Sequence, residues 1–337
     1  MEIEKRTFKK ASLEKLFNSL KSEGKKIIAP VKKGNIIDFC EISSLQEMAD
    51  DYLLSVKSVK GSTFPKIEKL FDYDINKEGV TTKDRDLDKI PEVVLFGARP
   101  CDAAGFASLT AIFTWDTQDS LYKKRLEKLS IITFSCNKAD NFCFCTSVNG
   151  SPGNTLGSDI LLTYTENDEF LAEIITEKGK AIAERSAAFE DAKEIDKNKF
   201  LADVPVQFDV NKVVLNATAS FESDIWLEQS LRCIGCGSCA FVCPTCACFD
   251  VQDESNGKQG SRLRLWDSCG FSLFTLHTSG HNPREVQSAR WRQRIMHKFS
   301  YMPDRLEVIG CVGCGRCSRA CPVDMNIKEH LINIAKD

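Results

Sequence analysis

Two segments of this chain carry four cysteines each in the pattern C-x2-C-x2-C-x3-C-P. Cys233, Cys236, Cys239 and Cys243 precede Pro244, and Cys311, Cys314, Cys317 and Cys321 precede Pro322. Thiolates at this spacing are the ligands of the bacterial two-cluster ferredoxin run, in which three cysteines wrap one [4Fe-4S] cubane and the fourth reaches across to the other. That rule assigns Cys233, Cys236, Cys239 and Cys321 to a first cluster, and Cys311, Cys314, Cys317 and Cys243 to a second. Glycines inside each run permit a tight loop whose N–H groups point at sulfur, and the proline ends it. Structural zinc is the competing reading. It needs four ligands per ion and has no use for a third closely spaced cysteine or the trailing proline.

Eight more cysteines bring the total to sixteen. Cys101, in Arg99-Pro100-Cys101-Asp102, and Cys136 each follow a short apolar run, and Cys143 and Cys145 lie just beyond. These four are candidate ligands of a third iron-sulfur cluster, with Asp102 as a possible oxygen ligand. On spacing alone, buried small hydrophobes are an equal alternative. Arg99 reads either as a charge partner for that cluster or as a strand-end surface residue. Cys246, Cys248 and Cys269 exceed the needs of two cubanes and read as packing near the clusters, while Cys40 reads as core. His277, His281 and His297 are scattered, without carboxylates at fixed spacing, and read as structural. Arg284, Arg290, Arg292, Arg294 and Lys298 form either a positive helix face suited to an acidic partner or a solvated face.

The elements that must position these residues are partly legible. Leu13, Leu16, Phe17 and Leu20 fall at helical spacing, with Gly24 as a stop. Strands are expected at 27–31 and 36–39. Val93–Phe96 reads as a strand buried on both faces, followed by a helix over 102–113 and a second buried strand at 131–134, which makes a β-α-β unit. Cys101 and Cys136 then emerge at one edge of the sheet, where α/β sheets tend to place cofactors. Residues 160–163 and 170–176 suggest a hairpin, 55–90 a loop with short elements, and 177–220 a helix plus connector. The expected fold is α+β: an N-terminal mixed α/β domain over 1–220, then a mainly helical, ferredoxin-like dicluster domain over 221–337.

Composition narrows the rest. With 337 residues, 42% hydrophobic and 28% charged, and 45 basic against 48 acidic residues, the chain has a globular composition at net charge −3. Nothing in that balance requires a nucleic-acid partner. No apolar stretch approaches a membrane span, and the first residues lack a secretory h-region, so the cytoplasm is expected. Clustered thiols in a long chain without a signal peptide favour metal over disulfides. No glycine-rich phosphate loop opens a helix, so no flavin or nicotinamide is expected on this chain alone.

Taken together, Gly97–Asp102, Cys136–Ser147, both four-cysteine runs, Pro244–Asp250, Trp266–Cys269 and Gly280–Arg284 leading to His297–Phe299 resemble one family. It joins the A-type subunit of anaerobic sulfite reductase with the beta subunit of sulfhydrogenase (hydrogenase). The resemblance spans about residues 90–325. It implies an iron-sulfur electron-transfer subunit of an anaerobic multisubunit oxidoreductase. Its partners would be a catalytic or further iron-sulfur subunit on one side and a flavin-containing NAD(P)H-oxidising subunit on the other. It also favours the third cluster at Cys101, Cys136, Cys143 and Cys145. A rival is a catalytic subunit that reduces a sulfur compound directly, near Cys246, Cys248 or Cys269. A module whose clusters are only structural is a third possibility.

Overall fold

The computed structural model describes residues 3–191 and 194–336. The expectations that touch the first two residues, 192–193 and 337 lie in part outside these described residues. Eleven strands form two sheets: β1 (Glu4–Lys9), β2 (Lys26–Lys33), β3 (Ile36–Glu41), β4 (Ile67–Asn76), β5 (Gly79–Asp84), β6 (Val93–Ala98), β7 (Leu129–Phe134), β8 (Ile160–Tyr164), β9 (Glu169–Ile174), β10 (Phe249–Ser255) and β11 (Gln259–Trp266).

The larger sheet runs β1-β9-β8-β7-β6-β2-β3, with parallel pairing from β2 through β6 and β7 to β8 and antiparallel strands outside. Side chains alternate across a strand. Val94, Phe96 and Ile132 therefore pack on one face with Leu16, Phe17 and Leu20 of helix Leu13–Ser22, whereas Leu95 and Ile131 pack on the other with Phe106 and Leu109 of helix Pro100–Thr114. Covering both faces explains why β6 and β7 read as continuous apolar runs.

At the end of β6 the register shifts between Phe96 and Ala98. Gly97 takes φ +84°, and a Cβ there would lie 2.6 Å from Met48 Cε. The bulge turns the chain so that Arg99 and Cys101 leave the sheet at its carboxyl edge.

Residues 55–90 are not mainly loop. Most of β4 and β5 is polar and exposed, which hid its strand character, but the strands pair in the antiparallel sheet β10-β11-β4-β5. That sheet joins residues 67–84 to 249–266 across the expected boundary near 220. Buried Glu68 ties it to the helix Ser120–Glu127: Arg264 Nε donates to Glu68 at 3.2 Å, and Arg125 pairs with the same carboxylate. The second half combines short helices with the long β10–β11 hairpin. Its core gathers Val213, Trp226, Trp291, Phe299 and Leu331, together with Phe144 and Val148 from the first half.

Candidate metal centres

The two cysteine runs have the same local build. Each leads through two glycines of positive φ into a single helical turn, Ser238–Phe241 in one and Arg316–Arg319 in the other. Cys233, Cys236, Cys239 and Cys321 line one cavity, bordered also by Cys269 and Cys317. Gln287 Nε2 donates to Cys233 Sγ at 3.0 Å, and Met325 N donates to Cys321 Sγ at 3.2 Å. Cys236 is exposed at the rim. Cys243 stands instead with Cys311, Cys314 and Cys317, being an electrostatic neighbour of each of them.

Among the described residues, no three cysteine, histidine or acidic side chains converge as ligands of a single ion. Zinc ligands would converge, since Zn–S bonds are only about 2.3 Å long. Thiols arranged around a cavity fit a larger iron-sulfur core.

The four N-terminal cysteines also meet. Cys101 sits in the first turn of helix Pro100–Thr114, Cys136 follows β7, and the 141–145 loop brings in Cys143 and Cys145. All four line one small cavity, whose wall includes Gly313 and Cys314 of the second run. Phe144 N donates to Gly313 O at 2.9 Å. Arg319 grips the same loop, its Nε 2.8 Å from Asp140 Oδ2 and its Nη2 3.3 Å from Cys143 Sγ. Burial pushes the thiols up, Cys136 and Cys314 to about 11 and Cys145 and Cys311 to about 12. Bare, they are neutral; metal binding must displace their protons.

Asp102 is not an oxygen ligand in this arrangement. Its carboxylate is buried and paired with Arg316. Arg99 is not a surface residue either: it donates to Ser135 O at 2.9 Å and Leu53 O at 3.2 Å, and stacks 4.1 Å from the Tyr52 ring centroid. Burial opposes its charge, but Tyr52, Cys136 and Cys101 outweigh that, so it is held protonated.

The expected basic face of 284–298 breaks up. A π-helical turn at His297–Tyr301 continues helix Gln287–Met296, and both Arg294 and Lys298 are buried beside cysteines. Arg290 caps Arg284 O and Glu285 O, and Arg292 lies 3.9 Å from the Phe221 ring centroid. Cys40 is half-buried on edge strand β3 rather than in the core. His277 and His281 are exposed, and burial lowers His297 to about 4.

Sequence reading missed Lys60, whose segment read as loop. It also missed the structural roles of Arg316 and Arg319, whose place beside motif cysteines was the available signal.

A family model for the 4Fe-4S dicluster domain matches residues 232–325. Over 315 residues the chain is 31% identical to sulfhydrogenase 2 subunit beta of Pyrococcus furiosus, covering 91% of each protein. The chain belongs to the sulfhydrogenase beta-subunit family. It is an iron-sulfur electron-transfer protein of that family. No solved structure matches it. Among the described residues, no helix is long and apolar enough to cross a membrane.

Proposed function

We propose that this chain is a relay with three [4Fe-4S] sites, serving an anaerobic multisubunit oxidoreductase. The sites are Cys101, Cys136, Cys143 and Cys145; Cys311, Cys314, Cys317 and Cys243; and Cys233, Cys236, Cys239 and Cys321. When bound, such clusters accept and release single electrons at potentials set by their surroundings. The protein's part is to space the sites, exclude water and supply donors and cations to the sulfurs. The observation that carries this reading is the shared wall between sites: Cys314 borders the N-terminal cavity, and Cys317 borders the cavity of the first run. The second-run cysteines thus stand between the other two sets.

In this reading the units 1–220 and 221–337 hold the two ends of one line. The first-run end meets solvent at Cys236, with exposed Ile234 in the same cavity wall and exposed Leu231 two residues before Cys233. An apolar rim of this kind suits a docking redox subunit. The expected partners are a catalytic or further iron-sulfur subunit on one side and a flavin-bearing NAD(P)H-oxidising subunit on the other. The flavin and nicotinamide belong to the partner, because this chain has no glycine-rich phosphate loop.

The test is iron and acid-labile sulfide per chain after anaerobic purification, in wild type and in Cys143→Ala/Cys145→Ala. Loss of about four irons in the variant supports the N-terminal site; identical iron in both proteins overturns it.

A further inference from the structure

Cys246, Cys248 and Cys269 lie outside the twelve cysteines assigned above, yet the fold brings them together. Phe249 pairs with Trp266 at the base of the β10–β11 hairpin, and Asp267 N donates to Cys248 O at 2.9 Å. That pairing sets Cys248 beside Cys269, with Cys246 two residues back. The spacing Cys246-Ala247-Cys248 repeats that of Cys143-Phe144-Cys145.

Three buried cations surround them. Lys60 Nζ donates to Cys246 O at 2.8 Å and Ala240 O at 3.0 Å, and lies 4.1 Å from the Trp266 ring centroid. Arg294 Nη1 is 3.5 Å from Cys246 Sγ, Nη2 donates to Cys239 O at 3.2 Å, and the buried Nε has no partner. Lys298 Nζ is 3.5 Å from Cys243 Sγ and donates to Thr245 Oγ1 at 2.8 Å and Gly310 O at 2.6 Å.

Among the described residues, none of the three cations has a carboxylate partner within ion-pair distance. Burying a cation without a counter-charge is strongly unfavourable, and neutral carbonyls return only part of that cost. Arg294 and Lys298 also approach the motif cysteines Cys239 and Cys243, whose metal-bound thiolates answer some of the charge. Burial pushes the Lys60 ammonium toward its neutral form, and the nearby Cys246, Cys243 and Cys248 oppose that. Neutral thiols or a disulfide at these positions would leave the cation without a matching anion.

We propose that Cys246, Cys248 and Cys269 hold a fourth iron-sulfur cluster, seated against Lys60, Arg294 and Lys298. Each thiol gives its proton to solvent as its sulfur bonds iron, and ferrous and ferric iron supplied in equal parts with sulfide give the mixed-valence core without any oxidation or reduction of the protein. Three cysteines leave one iron of a cubane for a non-cysteine ligand.

The inference assumes an iron-sulfur protein but not the N-terminal site, and the two are separable. The full chain would be reconstituted anaerobically with iron and sulfide, then assayed for iron and labile sulfide. Wild type is expected to hold about sixteen irons, and Cys248→Ala/Cys269→Ala about four fewer. If the N-terminal reading alone fails, wild type holds about twelve and still loses four on this substitution, while Cys143→Ala/Cys145→Ala loses none. Unchanged iron in folded Cys248→Ala/Cys269→Ala, or alkylation and mass measurement showing Cys248 and Cys269 joined as a disulfide, overturns the proposal. Lys60→Met, which removes no sulfur, is expected to keep the iron while lowering the midpoint potential of one cluster in EPR-monitored titration. Four potentials identical to wild type would also overturn it.

Discussion

Arg316 Nη2 stands 2.8 Å from Asp102 Oδ1, with both side chains buried. Arg316 lies between two cysteines of the second run, and Asp102 follows Cys101, so one ion pair ties the dicluster domain to the N-terminal site. Arg316 also donates to Ser55 O at 3.0 Å and Ser55 Oγ at 3.1 Å. Removing one member of a buried pair strands the other charge, at a cost of about 3–5 kcal/mol. Arg316→Met is therefore expected to lower stability by that amount in chemical denaturation, and Arg316→Met/Asp102→Leu to recover much of it. A loss under about 1 kcal/mol in the single variant would contradict a structural role for the pair.

Gly313 gives a sharper probe of the contact between the same two sites. Its φ is +64°, and a Cβ there would lie 2.5 Å from Cys145 Cα. The obstruction is backbone, which cannot swing aside as a flexible side chain would. Gly313→Ala is expected to displace the 143–145 loop and reduce iron content. Gly34→Ala, also at positive φ but with nothing within 4 Å, would show only the strain of the backbone. Equal iron in both variants would mean that the sites do not depend on this packing.

The buried thiols predict an alkaline weakness of the metal-free chain. Burial raises Cys136 and Cys314 to about 11 and Cys145 and Cys311 to about 12, from an ordinary 9.0. Above pH 9 the unfolded chain sheds these protons while the folded chain keeps them. Folded stability is thus full below about 9 and falls as pH rises toward 12. Urea unfolding of the metal-free protein at pH 8 and pH 10 checks the sign. Iron binding removes the same protons, so affinity for the cluster should rise with pH across this range.

The apolar rim at Cys236 is open to a kinetic test. Leu231 is 76% exposed and Ile234 is 64% exposed, and Ile234 lines the same cavity as Cys233 and Cys236. Leu231→Asp/Ile234→Asp should slow electron exchange with the partner by about tenfold or more, equivalent to ~1.4 kcal/mol of lost docking energy. Iron content and potentials should stay at wild-type values. Unchanged exchange would place the docking face elsewhere.

The doubly buried runs at β6 and β7, the helical spacing of 13–20 and the hairpin at 160–176 were legible because each has one dominant apolar period. The β4–β5 hairpin was not, since its strands are largely exposed and the other partner of β4, β11, lies about 190 residues away in sequence. The dicluster motifs carry their chemistry in local spacing and could be read directly. Asp102 could not: whether a carboxylate binds metal or a guanidinium depends on which side chain arrives from elsewhere, and Arg316 arrives from more than 200 residues away. Lys298 read as part of a charged surface because helical spacing alone does not register the π-helical turn that carries it inward.

Lys298 also offers a direct measure of how the protein tunes a cluster. Its Nζ is buried 3.5 Å from Cys243 Sγ and held by Thr245 and Gly310. Burial alone would strip its proton, but Cys243 and Cys246 outweigh that and hold it charged. A fixed cation favours the more negative, reduced state of any cluster bound by Cys243. Lys298→Met is therefore expected to lower that midpoint potential by on the order of 60 mV, the one-electron equivalent of about 1.4 kcal/mol. Lys298→Arg, which keeps the charge, should shift it less. EPR-monitored redox titration decides the matter: a potential that stays put or rises in Lys298→Met, with iron retained, would mean that the buried charge acts on folding and not on the relay.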